Sequence, residues 1–266
     1  MVSTISTGGT RGAVHQAIYN AASATGVDFN YLFNQARIES SLNPNAKAQT
    51  SSATGLYQFI EQSWLGVVAK HGDAHGLGWA TSAIMRGSDG RYRVADPAMR
   101  TAILDLRRDP DASAAMAAEF ASDNRDHLER RLGHQVESVD LYLAHFLGAG
   151  GATKFLRGYD ANPDAAAADL FPAAARSNRG VFYDRDGSAR SLAELRERFA
   201  AKFEGSEPLP FRGGVGVGIV SASRQQFDAR TVPTPNPSPE GQGLTSLRVA
   251  NARLAYLMLA SLGVSA

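Results

Sequence analysis

Cysteine is absent from the 266-residue sequence. Its absence excludes a disulfide framework, a thiolate nucleophile and a cysteine-ligated metal site, and it leaves the redox compartment open. An excess of one charge is also missing, because 27 Lys and Arg residues stand against 26 Asp and Glu residues. This balance creates no strong field for nucleic acid, so we expect no nucleic-acid partner and expect any bound polymer to be recognised by a groove.

Long apolar runs are missing as well. No run approaches the roughly 20 apolar residues of a membrane-spanning helix, so we expect no membrane span. The N-terminal segment "MVSTISTGGTRGAVHQAIYN" lacks the basic start and apolar core that are typical of a secretory signal. For a protein that works outside the cytoplasm, this means that a signal has been removed or that export follows another route.

The HExxH, GxSxG and Walker motifs are absent, so a metalloprotease, a serine hydrolase and an NTPase lose their main support. The segment "HGDAH" places His71, Asp73 and His75 at a spacing that suits a metal ion. It lies in a glycine-containing loop with no further ligand nearby. We therefore expect no metal and no other cofactor.

Helix signals dominate the chain up to about residue 204. Asp28 is suited to cap a helix, and Pro44 prevents that helix from continuing. Ser191 and Glu194 form a capping box ahead of another helix. Because alternating strand patterns are nearly absent, the sequence predicts an all-α fold.

Composition divides the chain into three regions. Residues 1–204 form the predicted helical domain. Residues 205–243 hold six of the 11 prolines and show no helical period, which predicts a Pro/Gly-rich linker. Residues 244–266 predict an amphipathic C-terminal helix, which we expect to dock on its own domain or on a partner protein.

Glu39 stands where the helical pattern favours an apolar residue. On a helix it shares one face with Leu32 and Ala36. Apolar neighbours and the negative end of the helix dipole both disfavour a charged carboxylate. A carboxyl that stays protonated is suited to general acid catalysis. The alternative is a partly exposed glutamate at a frayed helix end.

The segment "TSSATGLYQFI" follows closely. Thr54 and Gly55 predict a turn into a short apolar helix, on which Gln58 offers an amide for hydrogen bonding. Tyr57 and Phe59 would present flat faces to sugar rings. The alternative for this segment is ordinary core packing.

A third segment, "YLAHFLGAGGATKFL", contains a helix that we expect to stop at Gly148, before a turn of small residues. His145 lies within its apolar pattern. It is either a hydrogen-bonding partner for a substrate or a core histidine.

Taken in order, these segments resemble the soluble lytic transglycosylase family, whose lysozyme-like domain cleaves peptidoglycan. The family's first motif is a catalytic Glu followed by Ser, and "IESSLNPNA" supplies Glu39 and Ser40. Its second motif is Gly-Leu-Met-Gln, and "GLYQF" supplies Gly55, Leu56 and Gln58.

The family's third motif, Ala-Tyr-Asn-Ala-Gly, matches loosely. "AHFLG" keeps Ala144 and Gly148 but puts His145 at the Tyr position. The resemblance runs roughly from Val14 to Phe203 and is greatest to the branch found in phage endolysins and in enzymes that open the wall for flagella or secretion machines.

The resemblance implies a lysozyme-like domain that cleaves the bond between N-acetylmuramic acid and N-acetylglucosamine and leaves a 1,6-anhydro end. Glu39 would act first as acid and then as base. The implied substrate-binding residues are Ser40, Tyr57, Gln58, Phe59 and His145. A goose-type lysozyme-like hydrolase and a non-catalytic wall-binding component are the alternatives, and Asp73, Asp89 or Glu119 remain open as a second carboxylate.

The implied partner is the peptidoglycan glycan strand. A flagellar, secretion or phage assembly partner would bind through the C-terminal helix. We expect a monomer that works in the periplasm or cell envelope.

Overall fold

The computed structural model describes residues 7–49 and 51–204 of the chain. The linker predicted at residues 205–243 and the tail helix predicted at residues 244–266 lie outside the described residues. No helix in the described ranges is both long and apolar enough to cross a bilayer.

The described chain is mostly helical, as predicted. The α-helices are α1 (Thr7–Thr25), α2 (Phe29–Ser40), α3 (Glu61–His71), α4 (Gly78–Thr81), α5 (Pro97–Asp105), α6 (Pro110–Leu132), α7 (Ser138–Ala161), α8 (Ala167–Leu170), α9 (Pro172–Ser177), α10 (Arg179–Phe182) and α11 (Leu192–Glu204). Single 3-10 turns occupy Gly72–His75 and Leu106–Arg108. Strands β1 (Ile84–Arg86) and β2 (Tyr92–Val94) form an antiparallel hairpin in which Met85 pairs with Arg93. With only these two short strands in the described ranges, the structure is consistent with the all-α prediction.

Helix α6 is central to the core, because it packs against α1, α2, α3 and α7. Its inner face is built largely from small side chains, which let neighbouring helices approach closely. The buried residues of α6 are Ser113, Ala114, Met116, Ala117, Ala118, Ala121, Asn124 and Leu128. With α6 as a common support, α2 and α7 are brought together at one side of the core.

Local signals set the ends of α2. The side chain of Asp28 accepts a hydrogen bond from Tyr31 N at 2.9 Å, which confirms the predicted cap. The helix stops at Ser40, because Ser41 and Leu42 have left-handed backbones with φ of 56° and 61°. Glu39 therefore lies in the last turn of α2.

Two other predicted boundaries are also present. Gly148 interrupts α7 with φ 69° and ψ 161°, a conformation that suits glycine. Ser191 and Glu194 form the predicted capping box, in which Glu194 accepts from Ser191 N at 2.8 Å and Ser191 Oγ accepts from Glu194 N at 3.1 Å.

A polar network joins α3 and the following 3-10 turn to α6. His71 lies 3.2 Å from Glu119 and 2.9 Å from Asp123, and His75 lies 2.7 Å from Glu119. Lys70 contacts the second oxygen of Asp123 at 2.6 Å. We call these side chains the His71 network. The segment "HGDAH" is therefore not the predicted loop. Its two histidines contact carboxylates of α6 and so join α3 and the 3-10 turn to that helix.

Candidate functional site

The carboxyl group of Glu39 is almost enclosed, with 6% of its side chain exposed. Its Oε1 lies 3.2 Å from Nε2 of His145, which α7 supplies. The fold thus joins the first and third predicted segments through one polar contact.

Gln35 completes this contact from one helical turn before Glu39. Its Nε2 donates to Nδ1 of His145 at 3.1 Å. Gln35 is buried, and its second polar atom, Oε1, has no hydrogen-bond partner among the described residues. We call Gln35, Glu39, Tyr142 and His145 the Glu39 cluster.

Tyrosine and phenylalanine rings surround the cluster. Burial first, and the negative charge of Glu39 second, raise the pKa of both Tyr31 and Tyr142 above the usual range of a phenol. The rings of Tyr31 and Tyr142 lie 5.5 Å and 5.1 Å from that of Phe203 on α11. Phe199 lies 6.1 Å from Tyr142. Helix α11 therefore closes the back of the cluster with apolar surface.

Buried polar atoms without a partner are concentrated in this region. Within residues 7–49 and 51–204 these atoms are Asn34 Oδ1, Gln35 Oε1, Arg37 Nε, Tyr57 OH, Ser113 Oγ and Tyr142 OH. Three of them belong to α2, and Tyr142 belongs to the Glu39 cluster. Because buried polar groups are normally hydrogen-bonded, this concentration distinguishes the region from the rest of the described core.

Ser40 ties the first motif to the second. Its Oγ donates toward the carbonyl oxygens of Leu56 at 2.8 Å and Ala36 at 3.0 Å, and accepts from Asn43 N at 3.2 Å. The hydroxyl is thus committed to the backbone, where it fixes the distance between the end of α2 and the Gly-Leu-Tyr-Gln segment. Its observed role is positioning, and the substrate contact that the resemblance implied stays a prediction.

The Gly-Leu-Tyr-Gln segment is a turn and not the short helix that we predicted. Gly55 and Gln58 have left-handed backbones with φ of 87° and 50°, which interrupt any helix before α3 begins at Glu61. The amide nitrogen of Gln58 donates to the carbonyl oxygens of Gly55 at 2.9 Å and Ala46 at 3.2 Å. Gln58 therefore stabilises the turn through its Nε2.

Tyr57 and Phe59 require a correction. Their exposed fractions are 1% and 7%, so neither ring presents a flat face to a sugar. Phe59 packs edge-on against Trp64 at 5.4 Å and Phe120 at 6.2 Å. These aromatic residues belong to the core, because the turn directs them inward.

Sequence reasoning missed Gln35, Tyr31 and Tyr142. Two of them carry a signal that was available: Gln35 precedes Glu39 by four residues, and Tyr142 precedes His145 by three, so each pair shares a helix face. Nothing local indicated that α2 and α7 would meet.

Two of the carboxylates left open as a second catalytic group are engaged elsewhere. Glu119 belongs to the His71 network, and Asp89 forms a two-point ion pair with Arg93. No group of three or more His, Cys, Asp or Glu residues is arranged for a metal ion in the part of the chain that the structure describes.

A cavity of about 490 Å³ lies between α1 and the start of α6. Five of its eleven lining residues are alanine, and none of the residues predicted for catalysis or glycan binding lines it. Two of its polar groups have other partners, since Asp109 caps α6 and His75 contacts Glu119.

No protein-family model matches this chain. The arrangement at Glu39 has to be interpreted from its own geometry. A nearly enclosed carboxyl group, held on one oxygen and bordered by partnerless polar atoms, is suited to proton transfer.

Proposed function

We propose that the protein is a peptidoglycan lytic transglycosylase with a lysozyme-like domain. The observation that carries the proposal is the carboxyl of Glu39, which is 6% exposed and is held through Oε1 by His145. It lies where Ser40 joins the end of α2 to the Gly-Leu-Tyr-Gln turn. These are the two segments that carry the resemblance to the family.

In the proposed reaction, Glu39 protonates the glycosidic oxygen between N-acetylmuramic acid and N-acetylglucosamine, and the bond from this oxygen to C1 breaks. The N-acetyl group assists in place of an enzyme nucleophile. The 6-hydroxyl of the muramoyl residue then bonds to C1, and its proton passes to Glu39. The product carries a 1,6-anhydro end, and no water is consumed.

The commitment of Glu119 and Asp89 to other ion pairs favours this reaction over typical glycosidase chemistry, which uses two carboxyl groups on either side of the bond. The glycan strand is the proposed substrate, and the cell envelope is the proposed place of action for a monomeric enzyme. An assembly partner at residues 244–266 belongs to the same proposal.

The test is mass spectrometry of muropeptides released from purified sacculi by the full chain and by Glu39→Gln. We expect anhydro ends from the parent protein and a loss of about 10²- to 10⁴-fold in their rate of release from the variant. Glu197→Gln, at an exposed position of α11, is the matched control and should release anhydro ends at the parent rate.

Reducing ends alone would identify a hydrolase. Bound sacculi with no released muropeptide would identify a non-catalytic wall component. Unchanged release by Glu39→Gln would remove Glu39 from the chemistry.

A further inference from the structure

Both ring nitrogens of His145 are engaged by α2. Nδ1 accepts from Gln35, and Nε2 lies 3.2 Å from Glu39 Oε1. The ring is also stacked on Tyr142 at an interplanar angle of 7°, with its side chain 18% exposed. A histidine that recognised a sugar would need a free ring nitrogen, and His145 has none.

The contact with Gln35 selects the tautomer of the imidazole. A neutral imidazole has one N–H and one lone pair. Because the amide nitrogen of Gln35 donates to Nδ1, the lone pair is at Nδ1 and the proton is at Nε2. The proton at Nε2 therefore lies beside Oε1 of Glu39, at a nitrogen-to-oxygen distance of 3.2 Å.

We propose that His145 is a positioning residue that directs the transferable proton of Glu39 to Oε2, and that Gln35 maintains the tautomer that this requires. The inference rests on the proposed function. A protonated carboxyl whose Oε1 accepts a hydrogen bond carries its proton on Oε2. The contact with His145 is made by Oε1, so Oε2 is the oxygen left for the glycan.

The same contact between His145 and Glu39 serves both halves of the reaction. When the proton leaves Oε2 for the glycosidic oxygen, the N–H of His145 stabilises the carboxylate that remains. Oε2 then takes the proton of the 6-hydroxyl. His145 keeps its own proton throughout, so it acts through Glu39 and not on the substrate.

Two variants at one position test this. His145→Gln keeps an amide N–H at about the reach of Nε2, whereas His145→Phe keeps the ring volume without a donor. With soluble glycan strands as substrate, we expect His145→Phe to lower kcat about 10- to 100-fold with KM nearly unchanged. His145→Gln should recover most of kcat.

His134→Phe and His134→Gln, at an exposed histidine, form the matched control pair and should keep the parent rate. Melting temperatures of all variants separate lost chemistry from lost folding. Glu39→Gln is measured in the same assay: if it stays active, the proposed function itself is wrong.

If Glu39→Gln is inactive but His145→Phe keeps the parent kcat, the positioning role is wrong while the proposed function stands. A raised KM with unchanged kcat would return His145 to substrate binding. An equal loss of kcat in His145→Phe and His145→Gln, with melting temperatures like that of the parent, would also overturn the inference. In that case the N–H donor would not explain the role of His145.

Discussion

The Glu39 cluster and the His71 network both contain histidine and glutamate side chains, but they differ in whether their buried polar groups have partners. In the network every histidine and carboxylate has an oppositely charged or hydrogen-bonding partner within 3.2 Å. In the cluster, Gln35 Oε1 and Tyr142 OH are buried with no partner among the described residues. The polar groups of the His71 network are satisfied within the fold, whereas two of those in the Glu39 cluster are not.

This difference supports a structural role for the His71 network and the proposed functional role for the Glu39 cluster. A buried polar group without a partner costs about 1–3 kcal/mol, so a fold selected for stability alone would not place two of them together. Natural proteins accept such costs mainly at functional sites. The His71 network shows that the same chain satisfies histidine and carboxylate groups where their role is to join helices.

The largest effect on stability should come from Gly55→Ala. This variant tests whether close backbone packing near the Glu39 cluster matters to the fold as much as the side chains of the cluster. An added Cβ would lie 1.7 Å from the carbonyl oxygen of Arg107, at a φ of 87°. Arg107 cannot retreat easily, because its guanidinium donates to Ser52 O at 2.8 Å and Phe59 O at 3.1 Å. We expect a loss of more than about 4 kcal/mol in the free energy of unfolding, measured with urea.

Gly133→Ala is the matched control for Gly55→Ala. It has a similar φ of 83° but nothing within 4 Å of the added Cβ, so it should cost only about 1–2 kcal/mol. Equal losses at the two glycines would show that the close approach to Arg107 is unimportant.

Removing one polar group from each region should move stability in opposite directions. Glu119→Gln weakens the contacts with His71 and His75 and should lower the free energy of unfolding by about 1–2 kcal/mol, without affecting the proposed glycan cleavage. Tyr142→Phe removes a buried hydroxyl without a partner and should leave stability unchanged or raise it by up to about 1 kcal/mol. Urea unfolding of both variants checks the signs, and a destabilised Tyr142→Phe would erase the distinction between the two regions.

The smallest expected effect is on the stability of the fold at acidic pH. Burial raises the pKa of Asp123, but hydrogen bonds from Lys70 and His71 outweigh it, and the net pKa lies below the usual range. A carboxyl with a lowered folded-state pKa contributes stability at pH values above its unfolded pKa of about 3.9, and this contribution is lost as the pH falls through the folded value. Melting temperatures between pH 6 and pH 2.5 should fall less steeply for Asp123→Asn than for the parent, and parallel curves would contradict the assignment.

Local chemistry made much of the helical framework predictable. The caps of α2 and α11 are hydrogen bonds between a side chain and backbone a few residues away, and the break at Gly148 depends on one residue. The position of Glu39 on the inner face of α2 follows from helical spacing alone. These features need no knowledge of the tertiary structure.

Long-range contacts made the rest unpredictable. Gln35 and His145 are 110 residues apart, so their pairing depends on how α2 and α7 pack. The Gly-Leu-Tyr-Gln segment forms a turn because Gly55 lies against the backbone of Arg107, and that turn sends Tyr57 into the core. Propensity for a helix in this segment was overridden by tertiary structure.

Helix α11 has a practical consequence for dissecting the chain. Since Phe199 and Phe203 cover the rings of Tyr142 and Tyr31, a fragment that stops before Leu192 would expose these two tyrosines beside Glu39 to water. The minimal unit for expression, crystallisation or fusion to another protein therefore has to retain residues 192–204.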